Sequence, residues 1–223
     1  MPMAARISVK ERQRVAEIVK GLETAYPDVH CTLAYASPFQ LLIMTILAAQ
    51  CTDARVNIVC RDLFKQYKTP RDFAEAPPGA LEDAIRSCGF FNQKARCIRD
   101  SCRMLLDCHD GAVPGDMTAL LALPGVGRKI ANAVLGECFD VPGVIVDTHC
   151  KRVANRLGFT RHSDPAKIER DLMALWPREH WTRFSHYMVF HGRAVCQARS
   201  PKCVACPVAT HCPWPTSKRR PKA

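Results

Sequence analysis

Apolar residues recur at helical spacing along nearly the whole chain. Val15, Ile18, Val19 and Leu22 follow the i, i+3, i+4, i+7 rule of an amphipathic helix. Ser37-Pro38 supplies a cap and a first-turn proline, and the segment behind it is apolar on every side from Leu41 to Ala49, interrupted by Thr45. Such a helix belongs in the middle of a bundle. Val56, Val59, Cys60, Leu63 and Tyr67 predict the next helix, and Thr69-Pro70 starts a short one. Leu81, Ala84, Ile85 and Cys88 predict another, stopped by Gly89. Ala95, Ile98, Cys102, Leu105 and Leu106 predict a longer one that ends near Asp110-Gly111. Short helices are expected at 117–122, 128–138, 148–157, 165–175 and 179–194. The only strand-like run is the triplet Val144-Ile145-Val146. The fold class is all-α.

Composition narrows the setting. The chain has 223 residues, 48% of them apolar, enough for one large or two small folded domains and too many for a disordered chain. The stretch Leu41–Ala49 is far shorter than the roughly 20 residues that cross a bilayer, so no membrane span is expected. Arg6, Lys10, Glu11, Arg12 and Arg14 stand at the N-terminus with no apolar run behind them, which predicts no secretory leader and a place in the cytoplasm, associated with the nucleoid.

Charge changes the picture more. The net charge is +11, with 17 basic and 16 acidic residues through position 140 but 15 basic and 5 acidic after it. A positive field confined to the last third suits a polyanion such as nucleic acid. The piece from Ser217 to Ala223 reads as a frayed, solvated basic end. Thirteen cysteines is an odd, high number, which favours a reducing compartment over a disulfide framework. Nine are scattered, several on apolar helix faces, where a free thiol acts as a small core residue.

Four segments carry candidate chemistry. Leu123-Pro124-Gly125-Val126-Gly127-Arg128-Lys129 lies between two short predicted helices. Gly125 and Gly127 permit a tight hairpin whose exposed N–H groups, with the following helix start, can hold a phosphate without reading sequence. Lys129 falls in the first turn of that helix, where the dipole disfavours a cation; a lysine nucleophile needs its neutral form, although a plain phosphate-binding lysine would fit the position too. In Val146-Asp147-Thr148-His149-Cys150-Lys151-Arg152, Asp147 is a good N-cap that can also face a reacting group. Cys196, Cys203, Cys206 and Cys212 form a C-x6-C-x2-C-x5-C set that can close on one centre, either tetrahedral zinc or a [4Fe–4S] cluster. Arg199 and Lys202 lie between these ligands and would face a phosphate chain.

Together with Leu47-Ala48-Ala49-Gln50-Cys51-Thr52-Asp53, these motifs resemble the endonuclease III family of helix-hairpin-helix, iron–sulfur DNA glycosylase/AP lyases, over about residue 8 to Cys212. The resemblance implies two helical domains with a DNA-binding cleft between them. One is a six-helix barrel with the hairpin over residues 32–142. The other is a [4Fe–4S] cluster domain from residues 1–31 and 143–223, with a basic tail at 214–223. It implies a monomer acting in base excision repair on duplex DNA that carries an oxidised or ring-saturated pyrimidine or an abasic site. Lys129 then matches the lysine that forms a Schiff base at C1′, followed by β-elimination on the 3′ side, and Asp147 the carboxylate that activates it. Gln50, Phe90 and His149 match positions that fill or wedge the gap left by the flipped nucleotide, Phe90 standing where an aliphatic wedge such as Leu is usual. The four cysteines would hold the cluster. Two rival readings differ in class. An adenine-mismatch glycosylase usually lacks the lysine and carries a further C-terminal domain. A non-catalytic DNA-binding module has no use for Lys129 and Asp147 together.

Overall fold

A computed structural model of the chain describes residues 8–214. Among these the regular structure is helical throughout: α1 (Val9–Ala25), α2 (Pro38–Leu47), α3 (Asp53–Gln66), α4 (Pro70–Ala74), α5 (Ala80–Ala84), α6 (Phe91–His109), α7 (Met117–Ala122), α8 (Arg128–Cys138), α9 (Thr148–Arg156), α10 (Pro165–Leu175) and α11 (Trp181–Ala194), with short 3-10 helices between some of them. Polar caps set most of the starts. Ser8, Ser37, Thr52, Asp116, Asp147 and Asp164 each accept the backbone N–H three residues on, and Thr69 and Asp72 form a reciprocal capping box. No described helix is long and apolar enough to cross a membrane.

The chain divides into two units. The first is Cys31–Val141. It carries α2 to α8, and its core centres on α2, whose Leu41, Leu42, Ile43, Met44, Ile46 and Leu47 are all buried. Phe73, Leu81, Ile85, Ile98, Leu105, Leu120 and Val134 close around them. Removing this much apolar surface from water at ~25 cal/mol per Å² is what holds such short helices in place.

The second unit joins the described residues up to His30 to those from Pro142 onward. Its core gathers Ile18 and Leu22 of α1, Val153 and Leu157 at α9, Leu172 of α10 and Phe184 and Met188 of α11, with Trp176 stacked on Phe184 at 3.6 Å. Arg14 ties the chain's start to its end: one Nη1 donates to the carbonyls of Leu157 and His211, both at 2.9 Å.

The structure departs from the sequence pattern at several ends. The apolar helix expected to reach Ala49 stops at Leu47, because Gln50 turns at φ 53° to bring Thr52 into position as the cap of α3. Tyr67 falls one residue outside α3, as its C-cap. The helix expected through Cys88 breaks into α5 and a 3-10 turn, Arg86–Cys88, whose Cys88 N–H bonds three residues back to Ile85. The last predicted helix starts at Trp181, after a separate 3-10 turn, Arg178–His180. Val144–Val146 forms no strand; Ile145 N–H goes to Ser185 Oγ at 2.8 Å instead of to a neighbouring chain. The basic end from 217 to 223 lies outside the described residues.

Candidate functional site

The glycine hairpin joins α7 to α8 and is bolted to α6. Leu123 and Val126 are buried, and Val126 N–H closes the turn on Leu123 O at 3.1 Å. Gly125 sits at φ 80°, and a Cβ there would lie 2.8 Å from Cys97 Cβ on α6, so only glycine lets the turn rest on that helix. Ser101, one turn further along α6, donates to Pro124 O at 2.7 Å. Gly127 begins α8 with no side-chain cap, leaving the helix's first N–H groups and its positive end open. Lys129, second residue of α8, is exposed beside them.

Gln50 and Phe90 are tied together by a residue that the motifs did not single out. Both are exposed and both have left-handed backbones, at φ 53° and 48°. Gln50 follows the end of α2, and Phe90 is the N-cap of α6, 65% exposed despite its size. The Lys94 side chain is buried and its Nζ donates to Leu47 O and Cys88 O, each at 2.8 Å. Those carbonyls end α2 and the 3-10 turn, where a cation is favoured. Burial pushes the Lys94 amine below the ordinary lysine range, against the pull of the Cys51 and Cys88 thiols beside it. One ammonium thus fixes the loop that carries Gln50 and the turn that carries Phe90.

Asp147 caps α9, its Oδ1 accepting Cys150 N–H at 2.7 Å, and is half-buried. His149 is held two residues on: Arg152 Nη2 donates to its Nδ1 at 3.0 Å and to Gly192 O at 2.9 Å, and Arg152 Nε donates to Cys196 O at 3.0 Å. Burial first, then Arg152 and Arg193, push the His149 imidazole down, opposed by Asp147. The lowered value favours the neutral imidazole at pH 7, packed between Arg152 and Gly192. Gly192 makes the approach possible, since a Cβ there would stand 2.9 Å from His149 Cβ.

The four clustered cysteines line one small cavity, partly open to solvent, with Arg156, His191 and Trp214. Arg156 organises the loop, donating to Gln197 O at 2.7 Å, Ala198 O at 2.9 Å and Cys196 Sγ at 3.4 Å. Burial pushes the His191 imidazole down to about 4, so it is neutral. Its Nδ1 is hydrogen-bonded with the Tyr26 hydroxyl at 3.0 Å, and its Nε2 faces Cys206 Sγ at 3.7 Å. No three His, Cys, Asp or Glu side chains among the described residues converge on a point fit for a single ion. The four thiols share this cavity, and Arg156 donates to one of their sulfurs, a donor set able to hold a metal group. Arg199 and Lys202 are exposed on this loop, beside Val204, which is 97% exposed.

Gln50, Phe90, the hairpin glycines and Lys129 therefore belong to the first unit, and Asp147, His149, Arg199, Lys202 and the four cysteines to the second. Lys94, Ser101 and Arg156, which hold these residues, were not apparent as motifs. A signal for two of them exists in the pattern: Lys94 and Ser101 stand seven apart on the buried stripe of α6 with Ile98 and Leu105, where polar residues need a reason.

Residues 43–178 match the family model described as HhH-GPD superfamily base excision DNA repair protein. The chain is 47% identical over 214 residues to endonuclease III of Synechocystis sp. (strain ATCC 27184 / PCC 6803 / Kazusa), covering 96% of this chain and 98% of that protein. It is similar to the solved structure of a non-covalent endonuclease III–DNA complex, with TM-score 0.87 and 45% identity over 91% of this chain and 95% of the other. A trapped endonuclease III–DNA covalent intermediate, an estranged-adenine complex, matches with TM-score 0.90 and 44% identity over 94% of this chain and 99% of that one.

Proposed function

This chain belongs to the HhH-GPD superfamily of base excision DNA repair proteins, within its endonuclease III branch, and on that footing we propose that Lys129 and Asp147 carry its chemistry. It is a DNA glycosylase/AP lyase, and its partner is duplex DNA with a damaged base or an abasic site. The observation that carries the assignment is the exposed Lys129 amine, one residue behind the uncapped start of α8 and the open Gly127. The hairpin N–H groups hold a backbone phosphate and so set which sugar the amine meets.

The substrate class is an oxidised or ring-saturated pyrimidine. Its nucleotide leaves the stack, at a cost of a few kcal/mol that a weakened base pair lowers. The neutral Lys129 amine then attacks C1′ and the base departs. The Nζ lone pair then opens the sugar ring: the C1′–O4′ bond breaks, O4′ takes up the amine proton, and an imine forms between Nζ and C1′, which acidifies the C2′ proton. Removal of that proton expels the 3′ phosphate oxygen by β-elimination and nicks the strand. Water as nucleophile forms no imine, which is why this lysine separates a lyase from a simple glycosylase. Asp147, fixed by its bond to Cys150 N–H, takes the role of the carboxylate that accepts the lysine proton and balances positive charge on the sugar. Gln50 and Phe90 enter the space left in the duplex, a wedge from an apolar side chain being a general way to hold a kink. His149 contacts the same DNA.

Cys196, Cys203, Cys206 and Cys212 are the ligands of a [4Fe–4S] cluster, a reading supported by the cavity they share. When bound, the cluster supplies a rigid anchor for a loop too short to build a core, so that Arg199 and Lys202 face phosphate. The protein acts in the cytoplasm, at the nucleoid.

Borohydride reduction in the presence of abasic-site DNA tests the central assignment. A covalent adduct is expected with the native protein and none with Lys129→Gln, which should keep most of its affinity for DNA. Persistent trapping in that variant sinks the assignment.

A further inference from the structure

Cys51 and Cys88 are the two thiols beside the buried Lys94. Cys51 directly follows Gln50, and Cys88 lies two residues before Phe90. The Cys51 side chain lies close enough to act on the Cys88 thiol, with Lys94 and Arg55 as the positive groups beside it. Lys94 Nζ holds the carbonyl of Cys88 itself and that of Leu47, so the two backbones that carry the thiols are already fixed side by side. Cys51 is partly exposed, whereas Cys88 is 2% exposed. Burial first, then the neighbouring Cys51, push the Cys88 thiol up to about 11. Cys60, the third thiol of this region, is 2% exposed and pushed up to about 12 by burial, so it is shielded from solvent oxidants. Of the three thiols, Cys51 is therefore the one that a solvent oxidant can reach.

We propose that Cys51 and Cys88 form an oxidisable dithiol site whose substrate is a hydroperoxide and whose product is a disulfide joining the Gln50 loop to the Phe90 turn. The Cys51 thiolate attacks one oxygen of hydrogen peroxide, forming an S–O bond, breaking the O–O bond and releasing hydroxide. The Cys88 sulfur then attacks the Cys51 sulfenic acid. An S–S bond forms, the S–O bond breaks, and the hydroxyl leaves with the Cys88 proton as water. Two thiols are oxidised by two electrons and one peroxide is reduced to water. The bond pins the two left-handed residues to each other. The consequence for DNA rests on the proposed role of Gln50 and Phe90: loops that can no longer adjust around a flipped nucleotide bind it less well.

The test exposes the cluster-loaded protein to low hydrogen peroxide, with the visible absorption of the cluster followed as a control. Proteolysis and mass spectrometry then map the thiols. A peptide joining Cys51 to Cys88, lighter by two hydrogens and separated by dithiothreitol, supports the site. In Cys88→Ala the link is lost and Cys51 becomes labelled by dimedone, a sulfenic-acid trap. Cys51→Ala, at the more exposed position, checks the same loss if Cys88→Ala folds poorly. Absence of the joined peptide while the exposed Cys108 is oxidised overturns the proposal, as does a Cys51 that dimedone never labels in Cys88→Ala. Affinity for an abasic-site duplex should fall roughly tenfold on oxidation and recover on reduction. A mapped link with unchanged affinity supports the dithiol site and overturns instead the reading of Gln50 and Phe90 as DNA contacts.

Discussion

Gly125 and Gly127 stand one residue apart, and exchanging each for alanine should have opposite consequences. At Gly125 the backbone is left-handed, which costs an L-residue with a Cβ roughly 1–2 kcal/mol. The new methyl would also meet Cys97 Cβ at 2.8 Å, and that atom belongs to the backbone-anchored base of a side chain on α6, so it cannot swing aside. Overpacking of this kind costs about 1–3 kcal/mol. Gly125→Ala should therefore lose about 2–5 kcal/mol of stability. At Gly127 the backbone is extended and no atom lies within 4 Å of an added Cβ. Gly127→Ala should cost less than about 1 kcal/mol, the difference between glycine and alanine at an N-cap. Its methyl would stand at the open start of α8, where a phosphate oxygen must approach, so DNA affinity should fall about tenfold or more. Urea unfolding followed by circular dichroism gives the stabilities, and fluorescence anisotropy with an abasic-site duplex gives the affinities. Equal stability losses for the two variants would refute the account of how the hairpin rests on α6. Native affinity in a well-folded Gly127→Ala would refute the phosphate site.

Asp147→Asn should leave α9 intact, because Asn caps a helix almost as well, yet abolish imine formation; unchanged borohydride trapping would remove Asp147 from the chemistry. Arg199→Ala and Lys202→Ala should each flatten the dependence of log affinity on log salt by about 0.9 if the side chain meets a phosphate, measured by titration at several salt concentrations. Arg99 and Glu82 form a bidentate pair with both bonds at 2.7 Å, and that pairing holds the Glu82 carboxyl below the ordinary glutamate range. A lowered folded value means the stabilisation is complete above the unfolded carboxylate value and is lost as pH falls through the folded one. Glu82→Gln should thus cost about 1–3 kcal/mol at neutral pH and nothing in strong acid, as read from urea midpoints across pH.

Legibility from sequence followed the physics of each feature. Helices with a polar cap and an apolar stripe announced themselves, since Ser37, Thr69 and Asp147 mark their starts as plainly as Leu41 or Ile98 mark their buried faces. The ends were harder, because what stops α2 at Leu47 is the turn at Gln50 rather than any loss of hydrophobicity. Local motifs such as the glycine hairpin and the cysteine spacing were visible because their chemistry is carried by neighbours in the chain. Lys94 was not, because its partners Leu47 O and Cys88 O are backbone atoms, 47 and 6 residues away. Arg156 was missed for the same reason, since its bonds to Gln197 O and Ala198 O join residues some forty apart.

What these hidden residues share explains why the first unit can present so many precise side chains on short loops. Lys94, Cys97 and Ser101 lie three and four residues apart on α6, hence on one stripe of that helix, spanning about 10 Å along its axis. Lys94 fixes the Gln50 loop and the Cys88 turn, Cys97 receives Gly125, and Ser101 holds Pro124. Phe90 caps the same helix. Gln50, Phe90 and the glycine hairpin, to which gap-filling, wedging and phosphate binding are assigned by the proposal above, are therefore all referenced to one rigid rod rather than to each other through flexible chain. A loop held at one point can pivot, but loops held at successive turns of a single helix keep their mutual spacing. That is the requirement for inserting side chains into a duplex whose own repeat is rigid. It also accounts for the buried charge. An apolar side chain at position 94 would fill the space yet leave two helix-terminal carbonyls without a donor, and each such group costs about 1–3 kcal/mol. The ammonium, although expensive to bury, satisfies both carbonyls from one position on that stripe.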